Sequence, residues 1–377
     1  MNYRSIISTG ISALVLCALV APTVGPIASA TALTNSQARR AAMLRRTALA
    51  HDTTLAARYA VKTKTTTTTT TTSPTAPVVT APVVTEPTAP ATNAHWIGAY
   101  VTGSAENLTN LTTLEGLVGQ KFAVRNFFQN TSQGFTEVQS TAISDHGAIP
   151  LITLEFWNPT VSTTAMTGGS YKQIAAGSMD AYLIKYATNA KNFGRPVWFR
   201  PFHEMNGDWY PWSGTATGNS PADFIAAWRH VRTIFNNAGA TNVKFVWCPN
   251  ADSVPNTTAN AIKSYWPGES YVDYIALDGY NFGTTSSTWR SFTSVMGPGY
   301  SAVIALSATK PIFVAETGCG TVGGDKAAWI TDMFNVMPTK FSRISGITWF
   351  NANKERDWRI ESSSASLNAY KAAILKF

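Results

Sequence analysis

The sequence predicts an α/β fold, a (β/α)8 or TIM barrel, over residues 94–377. Eight short apolar runs follow one another in this region, and several are uninterrupted, as in the buried strands of a parallel sheet. Amphipathic stretches with helix-start and helix-stop signals separate the runs. The length also fits, because a chain of 377 residues that is 45% hydrophobic can bury the core of one barrel of about 250 residues.

The apolar runs define eight candidate strands. In chain order they are His95–Val101, Lys121–Phe127, Ile149–Glu155, Val197–His203, Val243–Cys248, Tyr274–Tyr280, Pro311–Glu316 and Ile344–Phe350. The same alternation would suit a doubly wound parallel sheet, but no glycine-rich nucleotide loop follows the first run. The barrel is therefore the favoured arrangement.

The clearest predicted helix follows Ser220, a suitable N-cap, with Pro221 in its first turn and Gly239 near its end. Its apolar residues recur at helical spacing and define one buried face: Phe224, Trp228, Val231 and Phe235. A second helix is predicted roughly from Met179 to Asn192. We assign Trp198 and Trp228 to core or helix packing.

The first 30 residues have the features of a secretory signal peptide. Arg4 supplies the positive start, residues 6–20 are mostly apolar, and Ala28-Ser29-Ala30 form a small-residue cleavage site. This pattern predicts a secreted, extracellular protein.

Two further segments precede the barrel. Residues 31–62 form an Ala/Arg-rich arm, and residues 63–93 form a Thr/Pro-rich linker that we expect to be disordered. A weak contact of the arm with an anionic wall or membrane surface is one interpretation. We favour the alternative, a disordered basic arm or a pro-segment that is removed.

The net charge of +8 belongs mostly to the N-terminal segments. Residues 1–64 contain eight basic residues and one acidic residue, whereas residues 94–377 contain 21 basic and 19 acidic residues. Nucleic acid is therefore not expected as a partner, because phosphate neutralisation requires clustered basic residues on the binding domain. A neutral, hydroxyl-rich substrate fits this composition better, and we expect the protein to be a monomer.

Neither a metal nor a cofactor is predicted. His203 precedes Glu204, but a zincin helix requires a second histidine four residues after the first, and position 207 is glycine. Cys248 and Cys319 show no metal spacing; we expect buried thiols, with a bridge between them as the open alternative.

Polar residues follow the predicted strands, and the C-terminal strand ends of a (β/α)8 barrel meet at one mouth. Glu204 directly follows the fourth run and Glu316 ends the seventh, on opposite sides of such a mouth. Retaining cleavage of a glycosidic bond uses two carboxyl groups about 5–5.5 Å apart. These two glutamates are therefore the candidate catalytic pair.

Three other strand-end residues are candidate helpers. Arg200 is suited to keep a carboxylate charged, and Tyr280 is suited to donate a hydrogen bond to the nucleophile. Glu155 either binds a sugar hydroxyl or pairs with an arginine such as Arg200.

Two motifs carry a resemblance to a known family. The stretch Trp198-Phe-Arg-Pro-Phe-His-Glu-Met-Asn-Gly-Asp-Trp-Tyr-Pro-Trp212 resembles the signature of glycoside hydrolase family 26, and Val314-Ala-Glu-Thr-Gly318 resembles its strand-7 motif. The resemblance covers roughly residues 94–377 and implies a retaining (β/α)8 enzyme. It implies that Glu204 is the acid/base and Glu316 the nucleophile.

The resemblance also implies roles for neighbouring residues. His203 matches the histidine before the acid/base, Tyr280 the tyrosine that bonds the nucleophile, and Trp349 the tryptophan that stacks under the sugar at the cleavage point. Further substrate-binding residues are predicted past the strand ends: Trp157, Trp209, Trp212 and Asn250.

The implied activity is endo-hydrolysis of a β-linked polysaccharide. We expect β-1,4-mannan, with a mixed-linkage β-1,3-1,4-glucan as the main alternative; β-1,3-xylan is also a substrate within the family. A non-catalytic carbohydrate-binding barrel is the alternative of another class, and a transglycosylase would use the same residues.

Overall fold

The computed structural model describes residues 95–284 and 287–377. Eight parallel strands form a closed barrel in sequence order, and β1 pairs with β8 from Trp96↔Gly346 to Val101↔Asn351. The predicted (β/α)8 barrel is thus confirmed. The predicted signal peptide (1–30), basic arm (31–62) and linker (63–93) lie outside the described residues.

The strands agree with the predicted runs to within a few residues. They are β1 Trp96–Val101, β2 Val124–Asn130, β3 Ile149–Glu155, β4 Val197–Pro201, β5 Val243–Trp247, β6 Tyr274–Asn281, β7 Ile312–Cys319 and β8 Ile344–Asn351. The predicted fourth run was too long at its end, because Phe202 and Glu204 adopt φ values of 53° and leave the extended conformation.

Helices connect the strands on the outside of the barrel. In the described ranges they are α1 Thr109–Val118, α2 Glu137–His146, α3 Tyr171–Ala175, α4 Asp180–Phe193, α5 Pro221–Ala238, α6 Phe292–Ile304, α7 Lys326–Lys340 and α8 Ser364–Ile374. Short 3-10 helices lie at Ile262–Tyr265, Glu269–Tyr271 and Ile360–Ser362. No helix among these has the length and apolar content needed to cross a bilayer.

Helix α5 illustrates how local sequence fixes an element. The Ser220 side chain accepts a hydrogen bond from the Asp223 backbone N–H, Pro221 occupies the first turn, and Gly239 ends the helix in the left-handed conformation. The apolar face is buried against the barrel, as predicted. The predicted second helix is α4.

Aromatic rings fill the barrel at the N-terminal side of its strands. The Trp198 ring lies 5.3 Å from Trp96 and 5.1 Å from Phe313, centroid to centroid. All three are buried, which confirms Trp198 as a core residue. Because this end is packed with side chains, the functional residues lie at the opposite, C-terminal end.

A β-bulge in β7 determines which side chains face into the barrel. Leu277 pairs with Val314 and Asp278 pairs with Glu316, so Ala315 has no opposite residue on β6. Side chains alternate between the two faces of a strand, and one extra residue reverses the alternation. Ala315 therefore packs inside the barrel, and Glu316 also faces inward, beside Asp278.

Candidate active site

Glu204 lies just beyond β4 in a conformation that few non-glycine residues adopt. Its backbone N–H donates to the Cys248 carbonyl oxygen at 2.8 Å, and its φ is 53°. Such a conformation costs about 1–3 kcal/mol and persists where the surroundings enforce it. The side chain is almost fully buried and accepts hydrogen bonds from Trp209 Nε1 (2.8 Å) and Asn250 Nδ2 (2.7 Å).

Glu316 is held by a different set of donors. The Tyr280 hydroxyl donates to Oε2 at 2.6 Å, and Arg200 Nη2 donates to Oε1. A phenol and a guanidinium thus hold this carboxylate, whereas an indole N–H and an amide hold Glu204. Glycosidic-bond cleavage by two carboxyl groups requires unlike environments for them, and these two glutamates have unlike hydrogen-bond donors.

Arg200 is the central cation of the site and is fully buried. Nη1 donates to both Asp278 carboxylate oxygens (2.9 and 2.8 Å), and Nε and Nη2 donate to Thr153 Oγ1 (2.8 and 2.6 Å). Burial alone would lower the Arg200 pKa, but Asp278 and Glu316 raise it well above its usual value. The guanidinium therefore stays charged.

The charges of both candidate catalytic carboxylates change the pKa of one neighbouring carboxyl group, that of Asp278. Burial raises the pKa of Asp278, the Arg200 charge lowers it, and the charges of Glu316 and Glu204 both raise it. Both glutamates therefore lie within electrostatic range of one aspartate inside the same mouth.

Glu155 is a third carboxyl group at this mouth. Its Oε2 accepts a hydrogen bond from Trp157 Nε1 at 3.0 Å. Burial raises the pKa of Glu155 to about 7, although the Trp157 bond and Lys354 oppose the rise, and the charge of Glu316 adds to it. The alternative that Glu155 pairs with Arg200 is not what the structure shows, because the Arg200 nitrogens bond other residues.

His203 belongs to an aromatic group beside the acid/base candidate. Its Nε2 lies 2.9 Å from the Tyr210 hydroxyl, and its carbonyl accepts a hydrogen bond from Trp212 Nε1 at 2.9 Å. The Trp212 ring stacks on Tyr210 at 4.0 Å and is fully buried. The prediction that Trp212 stacks on a sugar is therefore corrected: the ring orders the loop that carries Glu204.

Trp349 also occupies a different place from the predicted one. Its ring lies 6.2 Å from Trp329 of α7 and 5.7 Å from Tyr370 of α8, and Nε1 donates to the Trp358 carbonyl at 2.8 Å. The side chain thus faces the outer helices and is fully buried. It cannot form the floor of the mouth, because its neighbour on β8, Phe350, takes the inward side.

An aromatic group around Phe350 lines the mouth instead. Phe350 stacks on Tyr100 at 4.4 Å, and Trp358 lies 5.0 Å from Tyr280. Three partly exposed rings complete this group: Tyr100, Phe128 and Phe282. These rings lie outside the motifs on which the site was predicted, and their inward direction depends on strand register.

Two polar residues were also missed. Asn206 Nδ2 donates to the Asn250 carbonyl (2.9 Å) and its Oδ1 accepts from the Asn250 N–H (2.8 Å), which positions Asn250 against Glu204. Thr153 supports Arg200. Asn206 lies within the strand-4 motif, so its proximity to Glu204 was visible in the sequence. Cys248 and Cys319 are free, buried thiols, as expected.

The site's chemistry is that of paired carboxylates. In the described part of the chain, no group of three or more His, Cys, Asp or Glu side chains is arranged to hold a metal ion. Two buried glutamates with unlike donors, aromatic rings and amides at one barrel mouth match the requirements of glycosidic-bond cleavage.

Comparison with known proteins agrees with this class. Residues 148–317, which run from the residue before β3 into β7, match the family described as Glycosyl hydrolase family 26. The match supports glycoside hydrolase family 26 for this part of the chain. The matched segment includes Glu155, Glu204 and Glu316.

Two relatives extend the comparison. Endoglucanase H of Acetivibrio thermocellus is 39% identical over 285 residues, which is 74% of this chain and 30% of the relative. Mannan endo-1,4-beta-mannosidase of Bacillus subtilis is 32% identical over 225 residues, which is 54% of this chain and 56% of the relative. The chain therefore spans about a third and about half of the lengths of these proteins.

Solved structures show the same fold. The catalytic domain of Bacillus sp. JAMB-750 GH26 Endo-beta-1,4-mannanase has a TM-score of 0.56 and 19% identity, covering 74% of this chain and 85% of that one. Bacillus subtilis mannanase man26 has a TM-score of 0.54 and 21% identity, with the same coverages.

Proposed function

We propose that the protein is a retaining endo-β-glycanase. Glu316 attacks the anomeric carbon of a sugar while Glu204 protonates the departing glycosidic oxygen, which breaks the bond and leaves a glycosyl ester on Glu316. Water, deprotonated by the ionised Glu204, then attacks the same carbon and releases Glu316 with net retention. The single observation that carries this proposal is the pair of buried glutamates with unlike donors at one mouth.

The surrounding residues support the two roles. Arg200 and Tyr280 hold Glu316 for attack, and Trp209 and Asn250 orient the Glu204 carboxyl group. Arg200 is fully buried beneath the carboxylates, so it acts on the substrate through them.

Substrate binding is proposed for the remaining polar and aromatic residues of the mouth. His203 and Glu155 are the candidates to bind sugar hydroxyls near the cleavage point, and Asn250 and Trp209 border the acid/base. Trp157 is fully buried and donates its N–H to Glu155, so it positions that carboxyl group and does not bind the sugar as predicted. Because its pKa is raised to about 7, the Glu155 carboxyl group is partly protonated near neutral pH, and its protonated form can donate a hydrogen bond as well as accept one.

Two substrates are candidates, and each is supported by a different comparison. The 39% match over 285 residues is to a protein named an endoglucanase, which favours a β-glucan. The 32% match over 225 residues is to a mannan endo-1,4-beta-mannosidase, which favours the β-1,4-mannan expected from the sequence. β-1,4-Mannan is the proposed substrate and β-glucan the alternative, because the chain covers 56% of the mannosidase but only 30% of the endoglucanase.

The mechanism is tested by removing each glutamate. Glu316→Ala and Glu204→Ala are assayed on galactomannan, glucomannan, mixed-linkage β-glucan and β-1,3-xylan, with product sizes read out. Glu106→Gln, a change at an exposed glutamate of the β1–α1 loop, is the control. Either alanine variant keeping near-wild-type turnover refutes the assignment.

The same panel separates the alternatives. Hydrolysis of β-glucan alone excludes the mannanase, and hydrolysis of mannans alone excludes the glucanase. Saccharide binding without release of reducing ends identifies a non-catalytic barrel. With an oligosaccharide acceptor added to the panel, products longer than that acceptor identify a transglycosylase.

We further propose that the protein is exported as a monomer after cleavage near Ala30. The support is the small-residue motif behind an apolar run and the near-neutral barrel region. N-terminal sequencing of the protein recovered from the culture medium, with its mass by light scattering, tests both statements. A weak wall contact of residues 31–62 predicts salt-sensitive sedimentation with cell walls, which is lost when these residues are deleted.

A further inference from the structure

One aromatic residue near the mouth is not used by the proposed mechanism. Trp289 lies between β6 and α6, on the loop that leaves the C-terminal end of β6. Loops that follow barrel strands surround the mouth, so Trp289 lies on its rim. The side chain is partly buried against the edge of the main core, and part of the indole stays exposed.

A glycine of the next rim loop backs this indole. A Cβ at Gly324 would lie 2.3 Å from Trp289 Cε2 and 2.5 Å from Cδ2. No real side chain tolerates such distances, so the ring keeps its position only because residue 324 has no side chain. With Gly324 against the ring, the exposed part of the indole faces away from the β7–α7 loop.

Three contacts hold Arg290, the residue that follows Trp289. Arg290 N–H donates to Asn281 Oδ1 at 3.1 Å, and the Arg290 carbonyl accepts from Trp329 Nε1 at 2.8 Å. The Arg290 guanidinium pairs with Asp252 of the β5–β6 connection. The indole is therefore preorganised, which lowers the entropic cost of binding a ligand to it.

The indole N–H of Trp289 is also available as a donor to a ligand. Within residues 95–284 and 287–377, no hydrogen bond is formed by Trp289 Nε1. By contrast, the N–H groups of Trp209 and Trp212 donate hydrogen bonds to protein acceptors. An indole has a flat apolar face and one N–H donor at its edge, which matches a pyranose ring with an apolar C–H face and hydroxyls at its edge.

We propose that Trp289 is a sugar-stacking platform for a pyranose unit of the polysaccharide, at a position distant from the cleavage point. This inference rests on the proposed glycanase function. The side chains that donate to Glu204 and Glu316 in the site described above do not include Trp289, so we assign the platform to the binding of long chains and not to the chemical step.

Trp289→Ala tests the platform by comparing a long and a short substrate. The long one is whichever of mixed-linkage β-glucan and galactomannan the wild type cleaves, and the short one is the matching 4-nitrophenyl β-cellobioside or β-mannobioside. Loss of the stacking contact should lower kcat/KM on the polysaccharide about fivefold, mainly through KM. On the aryl disaccharide, kcat/KM should stay within about twofold of wild type, because that substrate does not reach the rim.

Three further variants separate binding from folding. Trp266→Ala removes a partly buried indole that packs against Trp247, on the helix side of β5, and should leave both substrates unaffected. Gly324→Ala should displace the Trp289 ring and reproduce the loss on the polysaccharide alone. Trp289→Tyr should retain most of the wild-type KM.

Equal losses on both substrates, or no loss on the polysaccharide, overturn the platform and leave the catalytic assignment standing. A loss from Trp266→Ala as large as that from Trp289→Ala also overturns it. If the wild type cleaves neither polysaccharide nor its aryl disaccharide, the proposed function fails and the platform fails with it.

Discussion

Arg200 and Asp278 form an ion pair that is sealed inside the barrel, with Nη1 2.9 and 2.8 Å from the two carboxylate oxygens. The same guanidinium contacts Glu316 through Nη2. One buried cation therefore faces two buried carboxylates. Removing either carboxylate leaves a partner for the cation, but removing the cation leaves two carboxylates without compensation.

Arg200→Met should accordingly destabilise the protein by about 3–5 kcal/mol, the usual cost of breaking a buried pair from one side. Activity should also be lost, because Glu316 loses its cationic donor. The double variant Arg200→Met/Asp278→Asn should recover part of the stability and none of the activity. Urea denaturation and polysaccharide hydrolysis measure the two effects.

The control for this cycle is Arg195→Met, which breaks a partly exposed pair with Asp145. Exposed pairs contribute about 0–1 kcal/mol, so this change should have little effect on the free energy of unfolding. If the double variant regains activity together with stability, Arg200 has a folding role alone.

Tyr280→Phe should lower kcat about tenfold to a hundredfold, since a hydrogen bond to a charged group is worth about 1.5–3 kcal/mol. The change removes only the hydroxyl that donates to Glu316 Oε2. Tyr370→Phe is the matched control, because no hydrogen bond to the buried Tyr370 hydroxyl exists in the described ranges. Equal effects of the two changes would contradict a role for Tyr280 at the nucleophile.

Glu155 should make stability depend on pH near neutrality. Burial raises its pKa from 4.5 to about 7 in the folded state, so the folded protein binds this proton more tightly than the unfolded chain does. The free energy of unfolding should therefore fall as pH rises between these two values. Glu155→Gln, which cannot ionise, should remove this part of the dependence.

The measurement is urea denaturation of wild type and Glu155→Gln at several pH values across that window. Glu106→Gln serves again as the exposed control. The pH profile of hydrolysis should also change in Glu155→Gln if the protonated carboxyl group binds a sugar hydroxyl. Parallel stability curves for wild type and Glu155→Gln would show that Glu155 ionises normally.

The sequence was sufficient to predict the barrel and the positions of Glu204 and Glu316. Parallel strands buried on both faces appear as apolar runs, and strand ends meet at one mouth whatever the details of packing. The pairing of Arg200 with Asp278 was not predicted, because the two residues lie on β4 and β6 and their approach depends on barrel closure.

The direction of individual side chains was harder to predict. In β7, the bulge at Ala315 reverses the alternation, so a strict period of two would have turned Glu316 toward the helices. In β8, the same alternation puts Phe350 inside and Trp349 outside, although the motif resemblance had assigned Trp349 to the mouth. Both outcomes depend on strand register, which no local sequence pattern specifies.

Trp349→Ala distinguishes the two placements of this ring. Because the indole packs between Trp329 of α7 and Tyr370 of α8, its removal should leave a cavity and cost about 3–5 kcal/mol of stability. The KM for the polysaccharide should stay close to wild type. Phe350→Ala, which removes the inward neighbour stacked on Tyr100, should instead alter the kinetic constants. Chemical denaturation and steady-state kinetics are measured on both variants. A raised KM with unchanged stability in Trp349→Ala would show that this ring contacts the substrate.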